Sequence, residues 1–147
     1  MVRVIRTTNQ AITNGVVTSI VFDSQQYDTD SMWINSQPGI VTIQTPGVYA
    51  IGGCIYWAAA TTTGVRRICD LKITKAVGGA VIFPVRDEQR FNTTATEMVQ
   101  ECSTEYWFDE GDTLELTCFQ GGTGGLNVLA SPEFAQVLWA SYRGPDP

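Results

Sequence analysis

The sequence predicts an all-β fold, an antiparallel sandwich of about eight to ten short strands. Three observations carry that expectation. Thr, Val and Ile number 18, 14 and 11 against only 6 Leu, and β-branched side chains are stiff at χ1 and pack well on a pleated surface. Apolar and polar residues alternate with a period of two in several runs, and no run shows a helical period. Gly and Pro punctuate the chain at short intervals, as turns between strands require. A length of 147 residues suits a single core.

Each element follows from local pattern. Val2–Thr7 reads as a first short strand. In Val16–Phe22, Val17, Ser19 and Val21 alternate with Thr18, Ile20 and Phe22. Asp23–Ser31 is polar and reads as a loop. Ile40–Gln44 and Val48–Trp57 are strands separated by Thr45-Pro46-Gly47, a Pro-Gly turn. Ala58–Gly64 is a loop of small residues. Val65–Lys75 and Ala80–Val85 are joined across Gly78-Gly79, which supplies the positive φ of a tight hairpin. Glu97–Phe108 is a long strand. Glu110-Gly111-Asp112 turns the chain into Thr113–Phe119, where Leu114, Leu116 and Cys118 oppose Thr113, Glu115 and Thr117. Gly121–Gly125 is a flexible tip. Phe134–Tyr142 closes a single domain of residues 1–142, and Arg143–Pro147 is a short polar tail. The last strands have little left to pair with except the first, which a jelly roll satisfies.

Composition removes whole classes of function. With no histidine there is no Ser-His-Asp triad, no Cys-His dyad and no histidine-ligated zinc. The net charge of −6 lacks the basic footprint that nucleic acids require. No run approaches the roughly 20 apolar residues of a membrane helix. Met1–Arg6 leads directly into polar residues, so no secretory leader is expected. Cys54, Cys69, Cys102 and Cys118 form no CxxC pair. Four cysteines allow two disulfides in any of three pairings; outside a secretory context the expectation is free thiols acting as small hydrophobes.

Three residue groups then carry a resemblance. They are Pro46-Gly47-Val48-Tyr49-Ala50-Ile51, Phe108-Asp109-Glu110-Gly111-Asp112-Thr113-Leu114-Glu115-Leu116, and the closing strand Phe134-Ala135-Gln136-Val137-Leu138-Trp139-Ala140-Ser141-Tyr142. In this order and spacing they resemble the globular head of complement component one-q and its relatives in the tumour-necrosis-factor superfamily. Val21-Phe22-Asp23 and Tyr27-Asp28-Thr29-Asp30 fit the early region of such heads. One departure is Gln136, where the family usually carries Gly. Without a collagen-like stalk or membrane anchor ahead of it, the chain resembles the stand-alone heads among tailed-bacteriophage virion proteins. The resemblance implies a homotrimer that is not an enzyme and is mounted on the virion surface after assembly in the host cytoplasm. Its partners would be a major capsid protein or another virion protein.

Candidate residues follow. Val48–Trp57 and Phe134–Tyr142 are apolar on both faces, so one face can meet the core and the other a neighbouring subunit; a thick monomeric sandwich with loops over the outer face is the alternative. By resemblance, Ala50, Gly52 and Tyr56 with Phe134, Leu138 and Tyr142 would line the three-fold axis. Tyr27 and Trp33 are the aromatics best placed to stack on a host-surface glycan, although Met32 and Trp33 are equally suited to fold beneath their loop. Arg66-Arg67 and Arg86–Arg90 are basic spots that could meet carboxylates of a capsid lattice. No cofactor or metal is expected. A structural calcium on Asp28 and Asp30, or on Asp109, Glu110 and Asp112, is the alternative, since calcium occurs in some relatives, but neither loop has the pattern of an EF-hand. These carboxylates are also the only pair a glycosidase could use, and nothing in their spacing selects for that. A capsid-decorating head is the leading reading. A fibre tip that recognises a host glycan or protein is the other.

Overall fold

Alternation of the kind described above buries one side of each strand, so two sheets must face one another. The computed structural model describes residues 1–60, 64–92, 96–122, 124–130 and 136–145. Among these residues there are twelve strands and no helix. They are β1 (Val2–Arg6), β2 (Gln10–Ile12), β3 (Thr18–Ser19), β4 (Ser24–Asp28), β5 (Val41–Thr42), β6 (Gly47–Trp57), β7 (Val65–Thr74), β8 (Val81–Phe91), β9 (Met98–Phe108), β10 (Thr113–Gly121), β11 (Leu126–Val128) and β12 (Gln136–Gly144).

The first sheet is centred on β6. Strand β9 runs along one flank of β6, and β12, then β1, then β4 extend from the other. Near the end of β6, β11 pairs through Val128 and Trp57 and carries β2 beyond it. The second sheet sets β3 and β5 beside β10, then β7 and β8. The pairing of the last strand with the first, Val2 opposite Ala140 and Val4 opposite Leu138, closes the jelly roll as its terminal pattern requires. Between the sheets lies one main core that includes Val4, Ile51, Ile55, Trp57, Leu71, Phe108, Leu116 and Leu138, all sealed from solvent. Each such side chain contributes about 1.5–3 kcal/mol over an exposed one.

Several elements differ from the sequence reading. Residues 24–28 form an edge strand rather than a loop, because the backbone of β1 offers a free edge to pair with. The expected strand Val16–Phe22 shrinks to Thr18–Ser19, while Ile20 and Phe22 are buried without joining a long ladder. Strand β8 continues past Val85 to Phe91, and Pro84 within it is tolerated at an edge position. Its hairpin with β7 turns on Gly78 and Gly79, both with positive φ (78° and 65°). Strand β12 runs on to Gly144, opposite Val48, so the polar tail begins later than the sequence suggested.

The outward face of the second sheet explains that continuation. Arg86 pairs with Asp70 at 2.7 Å, Arg66 with Glu88 at 2.7 Å, Arg90 with Glu88 at 2.9 Å, and Lys72 with Glu115 at 2.6 Å. The expected basic spots are therefore spent within the sheet. Hydrogen bonds from Arg66 and Arg90 hold the Glu88 carboxyl down at about 2. Arg67 points the other way and is fully buried. Its Nη2 donates to the Ala58 carbonyl at 2.8 Å and its Nη1 to that of Thr96 at 3.2 Å. The guanidinium also lies over the rings of Trp57 and Phe91. Burial pushes the Arg67 pKa down to about 10, so it stays charged at neutral pH.

A candidate subunit interface

Strand β6 sends Tyr49, Ile51, Ile55 and Trp57 into the core. Its other parity, Val48, Ala50, Gly52, Cys54 and Tyr56, therefore faces away from the second sheet. Strand β12 contributes to that outward face through Val137 opposite Cys54, Trp139 opposite Gly52 and Ser141 opposite Ala50. The face is thus an apolar stripe running over two central strands.

Close approach explains the glycine at its centre. A methyl group on Gly52 would stand 2.5 Å from Trp139 Cζ2 and 2.8 Å from its Nε1, so the indole rests directly on the Gly52 backbone. Gly53 does the same on the core side, where a methyl group would meet Leu116 at 2.5 Å. Two adjacent glycines let β6 be crowded from both faces.

Charges flank the stripe. Arg3 of β1 stands opposite Trp139 on one side, and Glu101 of β9 opposite Cys54 on the other. Arg143 and Glu105 approach within 3.8 Å at one end. At the far end the Tyr56 hydroxyl donates to Glu97 at 2.5 Å. Burial, reinforced by Glu101, pushes the Cys54 thiol up to about 11 against the opposing pull of Arg3. The thiol is protonated and unreactive at neutral pH, and it behaves as part of the apolar surface.

The sequence-predicted residues divide accordingly. Ala50, Gly52 and Tyr56 share the outward face. Leu138 does not: it is fully buried in the core, on the same side of β12 as Ala140. Tyr142 has the parity of Leu138 and packs edge-on against Tyr49, with ring centroids 5.3 Å apart. Phe134 lies outside the described residues. The β12 face was misassigned because both of its sides are apolar; the polar pair Ser141 and Arg143 was the signal for the outward parity. Val137 and Trp139, which the sequence reading placed on the opposite face from Leu138, are the residues that share the outward side with Gly52 and Cys54.

Tyr27 is 42% exposed and stands opposite Arg3, at the outer margin of the same face. Trp33 is buried, and its Nε1 donates to the Pro38 carbonyl, so it is a core residue and offers no ring for stacking. The acidic loops are occupied by their own chain. Asp28 accepts from the amides of Asp30, Met32 and Trp33. Asp112 is fully buried and accepts from Lys75 Nζ at 2.5 Å and from the amides of Ala76 and Asp109, each at 2.9 Å. Those bonds pin the β7–β8 turn to the turn that enters β10. Gln136, the departure noted above, is also fully buried. Its Nε2 donates to the Leu129 carbonyl, while its Oε1 has no partner.

No protein-family model matches the chain, and no curated protein matches it by sequence. Solved structures do match in shape. The globular domain of zebrafish complement 1qA superposes with a TM-score of 0.69 at 16% identity, covering 99% of this chain and 98% of that one. Eiger TNF from S. frugiperda gives 0.69 at 12% identity, covering 99% and 93%. Murine APRIL gives 0.69 at 11% identity, covering 95% and 96%. The chain has the complement-head and tumour-necrosis-factor jelly-roll fold. At these identities the likeness concerns the fold alone.

Proposed function

We propose that the chain is a homotrimeric, non-enzymatic jelly-roll head that serves as a structural protein of a tailed-bacteriophage particle, decorating or stabilising the capsid surface. The observation that carries this reading is the outward stripe Val48, Ala50, Gly52, Cys54, Val137 and Trp139. A central sheet face of this kind gains most by being covered. Low charge supports the same reading, since only 16% of residues are charged and charge inside an interface costs desolvation. A trimer suits three-fold and quasi-three-fold positions on a capsid, with the major capsid protein as partner.

A fibre tip recognising a host-surface glycan or protein is the second reading. Tyr27, exposed beside Arg3, is the aromatic that favours it. An electron-microscopic map of the particle separates the two. Trimeric density on the capsid lattice supports decoration, density at the tail or fibre end supports recognition, and absence of the protein from the particle refutes both.

A further inference from the structure

The two sheets meet along one side of the sandwich, where edge strand β9 of the first lies against β7 and β8 of the second. The seam carries a polar chain. Trp57 Nε1 donates to Gln100 Oε1 at 2.6 Å, and Gln100 Nε2 donates to the Asp87 carbonyl at 3.3 Å and to its carboxylate at 3.2 Å. Two residues further along β9, Cys102 faces Cys69 of β7, and their Sγ atoms are 3.5 Å apart. Cys69 is fully buried and Cys102 is 5% exposed. The function proposed above makes no use of this pair.

We propose that Cys69 and Cys102 are a latent inter-sheet disulfide, a modification site that closes the seam covalently when the protein meets a low-molecular-weight disulfide such as oxidised glutathione. A disulfide needs its sulfurs about 2.05 Å apart, so the pair closes through side-chain rotation and a small shift of the edge strand. Cys118 stands opposite Cys69 on β10, but a link there would join neighbours within one sheet and leave the seam open.

The chemistry balances as two exchanges. When β9 lifts, Cys102 gives its proton to solvent, and its thiolate attacks one sulfur of glutathione disulfide, expelling a glutathione thiolate. Cys69 then loses its proton and attacks the Cys102 sulfur, expelling the second. Two protein thiols are oxidised, one glutathione disulfide is reduced, and the two released protons end on two glutathione thiols. The hydrogen bond with Cys102, reinforced by burial, pushes the Cys69 pKa far up, so the closed protein reacts slowly. The bridge forms during folding or when the seam opens.

The test refolds the full chain in a glutathione redox buffer and alkylates it under denaturing conditions. Of the four cysteines that are free in the structure, only Cys54 and Cys118 are expected to be alkylated, with peptide mapping giving a Cys69–Cys102 link. Closing a loop of 33 residues is expected to raise Tm by about 10 °C over the same sample after dithiothreitol. Cys102→Ser removes both the link and the rise, while Cys118→Ala, which changes a neighbour without removing the pair, keeps both. Full alkylation of all four after equilibration, a Cys69–Cys118 link, or a link without a rise in Tm overturns the proposal.

Discussion

Replacing Gly52 by Ala places a methyl group where the Trp139 indole now rests, 2.5 Å from Cζ2 and 2.6 Å from Cε2. Both distances lie inside van der Waals contact, so the indole must leave the β6 backbone. In an isolated chain Trp139 sits at the surface and can turn toward solvent, so the cost to folding is small, at most about 1 kcal/mol. In a trimer the same ring is held by the neighbouring subunit, and overpacking there costs about 1–3 kcal/mol per interface. Three identical interfaces bring the assembly cost to about 3–9 kcal/mol, or roughly two to six decades in the association constant. The midpoint concentration for dissociation scales as the square root of that constant, so it rises by about one to three decades. Light scattering over a dilution series reads the shift, and a melting curve reads the fold. Trp139→Ala, which removes the ring and leaves Gly52 untouched, is expected to weaken assembly in the same direction. Two results would refute the reasoning: an unchanged dissociation midpoint in Gly52→Ala, or a chain that no longer folds, which would place the indole in the core.

Two further outcomes follow from the buried and charged groups. Asp112→Ala removes a fully buried carboxylate that accepts from Lys75 and from the amides of Ala76 and Asp109. Lys75 keeps its second partner, Asp109, at 2.7 Å, so the expected cost is that of the unpaired amides, about 2–3 kcal/mol, with Tm falling by roughly 5–10 °C; a loss under about 1 kcal/mol would mean that water replaces the carboxylate. The Glu88 carboxyl is held at about 2, below its ordinary 4.5, by Arg66 and Arg90. Its contribution is therefore present above pH 4.5 and is lost as pH falls toward 2. Glu88→Gln is expected to flatten the acid side of a Tm-against-pH curve over that window, and an unchanged slope would show that the pair is too solvated to matter.

Strands β6, β7, β9 and β10 were legible as runs of nine or more residues between turn signals, β10 through its alternating Leu114, Leu116 and Cys118 and β6 as a run that is apolar on both faces. Strands β2, β4 and β11 were not. Gln10-Ala11-Ile12 and Leu126-Asn127-Val128 are three-residue runs too short to show a period, and Ser24-Gln25-Gln26-Tyr27-Asp28 is largely polar; their extended form comes from ladders to partners distant in sequence. Only the tertiary structure makes them strands. Strand β8 beyond Val85 was not legible for another reason: Arg86, Asp87, Glu88, Gln89 and Arg90 look like a loop until Asp70 and Arg66 of β7 are placed beside them. The candidate interface was half legible. The outward parity of β6 was implied by the resemblance alone, and it agrees with the structure, where Tyr49, Ile51, Ile55 and Trp57 fill the core. That of β12 was inverted at Leu138 and Tyr142, because a strand apolar on both sides has no polar row over most of its length to mark its exposed face.

In the proposed trimer the outward stripe of β6 and β12 joins three copies of the chain. The mass of the purified protein in solution at micromolar concentration tests it most directly. A trimer gives about 48 kDa, three times the 16.1 kDa chain; a species of about 16 kDa across that range would rule the trimer out.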